Sequence, residues 1–311
     1  MADKVYDTII IGSGAAGMSA AIYASRAMLD FIVIEKSGVS GGQMLNTSEI
    51  DNYPGFIGES GAELAMAMRT HALKLGAEII SKTVTSVKKC DDIWKLACED
   101  GTEYSAKSII AATGADYRRL GVPGEAELAG RGVSYCAVCD GRFFKNKTVA
   151  VVGGGDTAAE DALYLSEICD RVYLIHRRDK LRAKAYLAEQ VQKKENIIPL
   201  WNSEIVDIQG YTKVDKIVLK DGRIIEADGV FAAIGEVPQN DLFKDSAKTD
   251  DSGFLIAGED CATSAEGLFA AGDLRSKKLR QVVTAAADGA NAVTSAEKYL
   301  ERRKKLSLIH I

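Results

Sequence analysis

The sequence predicts an α/β chain of two doubly wound, parallel-sheet domains, the second inserted into the first. Three observations carry this. Residues 5–36 (VYDTIIIGSGAAGMSAAIYASRAMLDFIVIEK) and 146–177 (NKTVAVVGGGDTAAEDALYLSEICDRVYLIHR) align without a gap at an offset of 141. Each block is followed by a hairpin signal and then by an apolar run that ends in glycine. Beyond the second such run the chain has no third glycine turn, so the remainder is expected to return and complete the first domain.

The elements follow in order. Apolar β-branched runs at Ile9–Ile11 and Val149–Val152 read as strands, and each leads into a glycine turn and an alanine-rich helix. Second strands are expected at Phe31–Ile34 and Val172–Ile175, completing a parallel βαβ unit in each copy. Ser60-Gly-Ala-Glu63 is a capping box opening an amphipathic helix from Leu64 to Leu75, with His71 on it as ordinary boundary packing. Asp100-Gly101 and Asp221-Gly222 are hairpin turns, flanked by strand-like runs such as Ile93–Cys98 and Val214–Leu219. Thirteen residues beyond each turn glycine, SIIAATG closes at Gly114 and GVFAAIG at Gly235. After GLFAAGDL (Gly267–Leu274), Gln281–Tyr299 has the spacing of a helix, and ERRKKLSLIHI reads as its solvated end.

Composition excludes several functions. With 39 Lys+Arg against 44 Asp+Glu the net charge is −5, without the basic excess of a nucleic-acid binder. No apolar run reaches the roughly 18 residues that span a bilayer, and the opening MADKVYD is charged and polar. A cytoplasmic protein acting away from membranes is expected. Glycine, at 29 residues against 4 prolines, is in excess, which suggests tight turns and close backbone–ligand approaches rather than linkers.

The glycine spacing gives those turns a purpose. Gly12, Gly14 and Gly17 form GxGxxG, matched by Gly153, Gly155 and Ala158 in the second copy. The first glycine makes the turn, the second admits a pyrophosphate, and the third lets helix and strand pack closely. Free N–H groups at the helix start then hold the anion. Both domains therefore read as Rossmann-like dinucleotide-binding units. The candidate contacts are Gly12, Ser13, Gly14, Ala15 and Gly17 in one, and Gly153, Gly155, Asp156 and Thr157 in the other.

The residue 23 places after the first glycine distinguishes the two ligands. In the first copy it is Glu35, which would accept from a ribose 2′-hydroxyl and repel a 2′-phosphate. In the second it is His176, followed by Arg177, Arg178 and Arg182. Guanidinium forks match a phosphate, so this domain is expected to take NADPH. FAD is favoured over NAD in the first domain. Gly41-Gly42-Gln43 offers a close-approach loop, Gly114 closes a strand, and Asp273 ends another. Arg280-Gln281-Val282 opens a helix whose positive end suits a reduced flavin.

Of six cysteines, Cys90, Cys98, Cys169 and Cys261 are scattered and read as small core residues. Cys136 and Cys139 are spaced CxxC, suited to a redox disulfide or half of a zinc site. Zinc needs two more ligands, and the chain has no second CxxC and only His71, His176 and His310. No metal is expected. Asp140, next to Cys139, is placed to deliver a proton to a leaving thiolate.

Taken together, GRGVSYCAVCDG, GGGDTAAED, HRRDKLRA, LRQVVTAAADGA, GGQ and DNYPGF resemble the low-molecular-weight thioredoxin reductases over essentially the whole chain. The resemblance implies a discontinuous FAD domain, residues 1–117 and 246–311, and an NADPH domain, 118–245, carrying the redox pair. It implies a homodimer, thioredoxin as the protein substrate, and domain rotation. Cys139 would face the flavin, Cys136 would attack thioredoxin, Asp140 would be the acid, and Asn52 would join the FAD contacts. The chain departs from the common pattern in Ala137-Val138 between the cysteines and in Glu236 of the closing strand. A flavin-dependent dithiol oxidase, a reductase with another electron donor, and a flavin-bearing redox sensor are the alternatives.

Overall fold

The computed structural model describes residues 4–47 and 49–309; His310 lies outside them. The chain divides into two compact units, residues 1–116 with 237–311, and residues 117–236. It passes between them through two short strands, Ala115–Tyr117 and Glu236–Pro238, which pair with each other.

The first unit is built on a seven-stranded sheet. Val5–Ile11 lies parallel between Phe31–Glu35 and Glu103–Ala111, because the helix Ala15–Arg26 carries the chain back over one face. Besides Val5–Ile11, Glu103–Ala111 has two further partners. Its first half pairs antiparallel with Ile93–Cys98, and its second half pairs parallel with Leu268–Ala270. The returning segment thus supplies a strand of the first unit's sheet. Its Phe243 and Ala247 are buried beside Ile9, Ile11, Ile32 and Ile34 on one face of the sheet. On the other face, alanines of Ala15–Arg26 and of the long helix Val282–Ile309 lie against each other with Ile10, Val33 and Ile110. Small side chains let the two backbones approach closely enough for Ser19 Oγ to donate to the Ala286 carbonyl at 2.6 Å. The capping box forms as expected and opens the helix Gly61–Lys74, Glu63 Oε2 accepting from the Ser60 N–H at 2.7 Å.

The second unit repeats the plan in smaller form. Five parallel strands run Ile197–Leu200, Arg171–Ile175, Thr148–Val152, Gly229–Ala232, Val133–Ser134 across the sheet. The helix Asp156–Ser166 lies against it, with Ala158, Ala159 and Ala162 fully buried. Beside the sheet, Ile205–Gln209, Lys216–Leu219 and Ile224–Glu226 form an antiparallel meander around the Asp221-Gly222 turn. One core expectation fails. Cys90 is exposed, unlike buried Cys98, Cys169 and Cys261, because it ends the strand Val84–Cys90 at an exposed turn.

Candidate functional site: two nucleotide turns and a redox disulfide

In the first unit three distant segments converge on the start of the helix Ala15–Arg26. The Gly12–Gly14 turn leads into it, Gly42 lies over Gly14, and Gly272 lies over Ala16. Gly17 is required by close approach, since a Cβ there would stand 1.9 Å from the Gly12 carbonyl oxygen. At Gly14, by contrast, the nearest atom to an added Cβ is 3.9 Å away, and no side chain caps the helix. The turn therefore leaves room and free donors where an anion would lie.

Glu35 is buried at the edge of this turn. Its Oε2 accepts from the Ser13 N–H (2.7 Å) and Ser13 Oγ (2.6 Å), and its Oε1 from the Ser37 N–H (3.0 Å) and Ser37 Oγ (3.2 Å). These bonds use the lone-pair directions of both oxygens, so a ribose hydroxyl would displace one of the serine hydroxyls. Gln43 donates to the Ala115 carbonyl, and the Gln239 N–H closes onto the Gly114 carbonyl at 2.9 Å. Asn52 Nδ2 donates to Gln281 Oε1 at 2.9 Å, tying the loop before the helix Gly61–Lys74 to the start of Val282–Ile309. Arg280 lies over the Phe254 ring, 3.9 Å from its centroid.

Asp273 has a buried Oδ1 without a hydrogen-bond partner among the described residues, and burial raises its pKa. A buried carboxylate oxygen left unbonded is costly unless a ligand hydroxyl donates to it. The turn that bears it is fixed by Asp288, which accepts from the Gly272 N–H at 3.0 Å, from Arg275 and from Lys277. The sequence reading did not anticipate these three charged residues.

The second turn differs in detail. No atom lies within 4 Å of a Cβ built on Gly155, and the helix it opens likewise lacks a side-chain cap. Asp156 is engaged by Lys184, whose N–H donates to Oδ1 at 2.9 Å and whose ammonium lies 3.0 Å from Oδ2. Thr157 is exposed. His176 is buried, and Gly154 lies directly on its ring, where a Cβ would come within 2.1 Å of Cε1. Burial, and then Arg182, Arg178 and Arg177, lower its pKa, so its ring supports the turn in the neutral form. Arg177, Arg178 and Arg182 are all exposed, with the Arg182 N–H held by the Gly154 carbonyl at 2.7 Å. Three cations thus ring a turn that offers open N–H groups. Gly154 was missed as a site residue because only the outer glycines belong to the motif.

Cys136 and Cys139 form a disulfide with a Cα separation of 5.3 Å, at the start of the short helix Ala137–Asp140. The Cys139 N–H donates to Cys136 Sγ at 3.2 Å, a contact that would stabilise a thiolate there. Asp140 is largely buried, and that burial raises its pKa against the opposing hydrogen bond from Ser134 Oγ at 2.6 Å. The same hydroxyl accepts from the Cys136 N–H at 3.1 Å, so Ser134 joins the acid to the redox pair. An acidic group with a raised pKa beside a disulfide can supply the proton that a leaving thiolate needs. Among the described residues, no group of three or more His, Cys, Asp or Glu is placed to hold a metal ion.

A family model described as pyridine nucleotide-disulphide oxidoreductase matches residues 6–289. The chain belongs to that family. It is 46% identical over 309 residues to a thioredoxin reductase of Listeria monocytogenes, covering 97% of this chain and 96% of that one. It is 47% identical over 302 residues to one of Treponema pallidum, covering 95% and 97%. The crystal structure of thioredoxin reductase from Streptococcus pyogenes matches with a TM-score of 0.91 at 44% identity, covering 97% of this chain and all of that one. A flavin and a nicotinamide nucleotide are the cofactors of such a chain, and the disulfide is the centre they serve.

Proposed function

We propose that this chain is a thioredoxin reductase that carries an electron pair from NADPH through FAD to Cys136–Cys139 and on to oxidised thioredoxin. The observation that carries the reading is the Cys136–Cys139 disulfide, joined through Ser134 to a protonatable Asp140, in a chain with two open glycine turns. FAD is assigned to the first unit, supported by Glu35 against a 2′-phosphate and by the unbonded Asp273 oxygen. NADPH is assigned to residues 117–236, supported by exposed Arg177, Arg178 and Arg182 beside the second turn. When bound, the flavin supplies two electrons to the disulfide, having received them from the nicotinamide.

The protein's own groups do the rest. Asp140 gives its proton to the sulfur released as the disulfide opens, and Ser134 holds that carboxyl in place. Cys136 Sγ, stabilised as thiolate by the Cys139 N–H, attacks one sulfur of the partner disulfide and expels the other as a thiolate. Cys139 then attacks Cys136 Sγ in the mixed disulfide, releasing the reduced partner and restoring the intramolecular bond. The same family likeness supports a homodimer. A cytoplasmic setting is supported by the family likeness and by the catalytic rather than structural use of the Cys136–Cys139 disulfide.

Anaerobic NADPH titration followed by a scan of oxidised partner proteins tests the proposal. Cys136→Ser and Cys139→Ser should keep NADPH-dependent bleaching of the flavin and lose thioredoxin turnover. Full turnover in either variant would overturn the mechanism. Rapid oxygen consumption with dithiols and no dependence on NADPH would identify an oxidase instead.

A further inference from the structure

The redox pair is braced on the N-terminal side of Cys136 by residues that the reaction itself does not require. Tyr135 immediately precedes Cys136 and its ring is fixed at three points. It stacks on Tyr117 with centroids 5.4 Å apart, it lies under the Arg119 guanidinium 4.3 Å from its centroid, and its hydroxyl donates to Glu125 Oε1 at 2.9 Å. Glu125 is itself only 4% exposed. Its two oxygens accept from the Leu120 N–H at 2.8 Å and the Gly121 N–H at 2.7 Å. A buried carboxylate bonded this way is a rigid anchor, since moving any of its donors leaves it unsatisfied.

We propose that Glu125 and Tyr135 are positioning residues that hold Cys136 in register with Cys139 and so set the dithiol–disulfide equilibrium of the pair. The proposal rests on the redox role given above to Cys136–Cys139. A disulfide closes more readily when the two sulfurs are held near each other before reaction, because less chain freedom is lost on closure. Here the backbone on one side of Cys136 is fixed by the Tyr135 ring. On the other side the helical turn is fixed through Ser134, which binds both the Cys136 N–H and Asp140. Removing the Tyr135 hydroxyl or the Glu125 charge cuts the link between the ring and its buried anchor, which loosens the first brace while the ring keeps Tyr117 and Arg119, and leaves both sulfurs, Ser134 and Asp140 intact. The dithiol gains freedom that the disulfide cannot share, so the equilibrium moves toward the dithiol.

The test uses the flavin-loaded full chain, equilibrated without oxygen in mixtures of reduced and oxidised dithiothreitol. The reaction is two cysteine thiols plus oxidised dithiothreitol giving the protein disulfide plus reduced dithiothreitol, balanced in electrons and protons. Thiols are trapped with a maleimide and the peptide bearing Cys136 and Cys139 is weighed. Tyr135→Phe and Glu125→Gln should each lower the equilibrium constant for disulfide formation about tenfold, or about 30 mV for this two-electron couple. The double variant should fall no further than the single ones, since both break one brace. Glu127→Gln, at an exposed position on the same segment, serves as control and should match the parent chain. A change below twofold in Tyr135→Phe, which keeps the ring, would overturn the proposal, as would additive shifts in the double variant. The measurement uses no NADPH. A parent chain that equilibrates normally but gains no thiols from NADPH would refute the proposed function and leave the brace standing.

Discussion

Asp288 receives the Arg275 guanidinium on both oxygens, at 2.9 Å from Nε and 2.7 Å from Nη2, with Lys277 Nζ also 2.9 Å from Oδ2. All three side chains are largely buried. The residues that meet come from the turn after Leu268–Ala270 and from the second turn of the helix Val282–Ile309. Lys277 Nζ also lies 4.0 Å from Oδ1 of Asp273 on the same turn, a buried oxygen that makes no hydrogen bond among the described residues.

Asp288→Asn is therefore expected to cost about 3–5 kcal/mol, because two cations lose their buried partner. Chemical denaturation measures that loss, and flavin release should accompany it because Asp273 is no longer held. The pH dependence has a definite sign. Burial pushes the Asp288 carboxyl up, but Arg275 and Lys277 outweigh it and hold its pKa below 3.8. Its stabilising contribution is present above that value and is lost as pH falls through the lower, folded-state value. The parent chain should lose stability there, and the variant should show a smaller dependence.

Arg178→Ala should raise KM for NADPH by about 10- to 100-fold, the effect of one lost charge-assisted hydrogen bond of roughly 1.5–3 kcal/mol. NADH has no 2′-phosphate to lose, so its turnover should stay unchanged. Equal effects on both nucleotides in steady-state kinetics would place the 2′-phosphate elsewhere.

Gly154→Ala tests the support beneath that phosphate site. The added Cβ would stand 2.1 Å from His176 Cε1, and the buried ring has nowhere to yield. Overpacking of this kind costs about 1–3 kcal/mol. NADPH affinity should fall at least tenfold while flavin content stays unchanged, as read from equilibrium titration and from the visible spectrum. Retained NADPH affinity would mean that the turn does not depend on the His176 ring.

The sequence reading was strongest where the fold depends on local order. The strands flanking both glycine turns, the Ser60 capping box and the two Asp-Gly turns follow from residue spacing within a few positions, so they could be read directly. His176 shows where spacing stops. Its alignment with Glu35 put it among the phosphate contacts; the ring is buried under Gly154, whereas the arginines after it are exposed. Nothing local distinguishes an outward from an inward side chain at a strand end. Asp288, Arg275 and Lys277 were invisible for a different reason. Each is an unremarkable charged residue in a helix or turn, and only the return of the chain across the sheet brings them together. Ser134 and Glu125 likewise act through long-range packing, which no motif records.

Asp140 offers the sharpest separation of activity from stability. Burial raises its carboxyl pKa while Ser134 Oγ, donating at 2.6 Å, opposes the rise without cancelling it. A carboxyl with a raised folded-state pKa contributes its stability below the unfolded value near 3.8 and loses it as pH rises through the folded value. Above its folded-state pKa the parent chain holds a buried negative charge there. Asp140→Asn keeps the shape and an acceptor for Ser134 without that charge, so it should melt higher than the parent above that pKa and show little gain at pH values where the parent carboxyl is protonated. Proton delivery is lost in the same change, and opening of the disulfide by the reduced flavin should slow by about 100-fold or more. Stopped-flow reduction of the pair across pH separates the two effects. The parent rate should decline as pH rises through the Asp140 pKa, because the protonated acid disappears, whereas the variant should be slow and flat. A variant that is slow but keeps the parent's pH profile would assign the proton to another group.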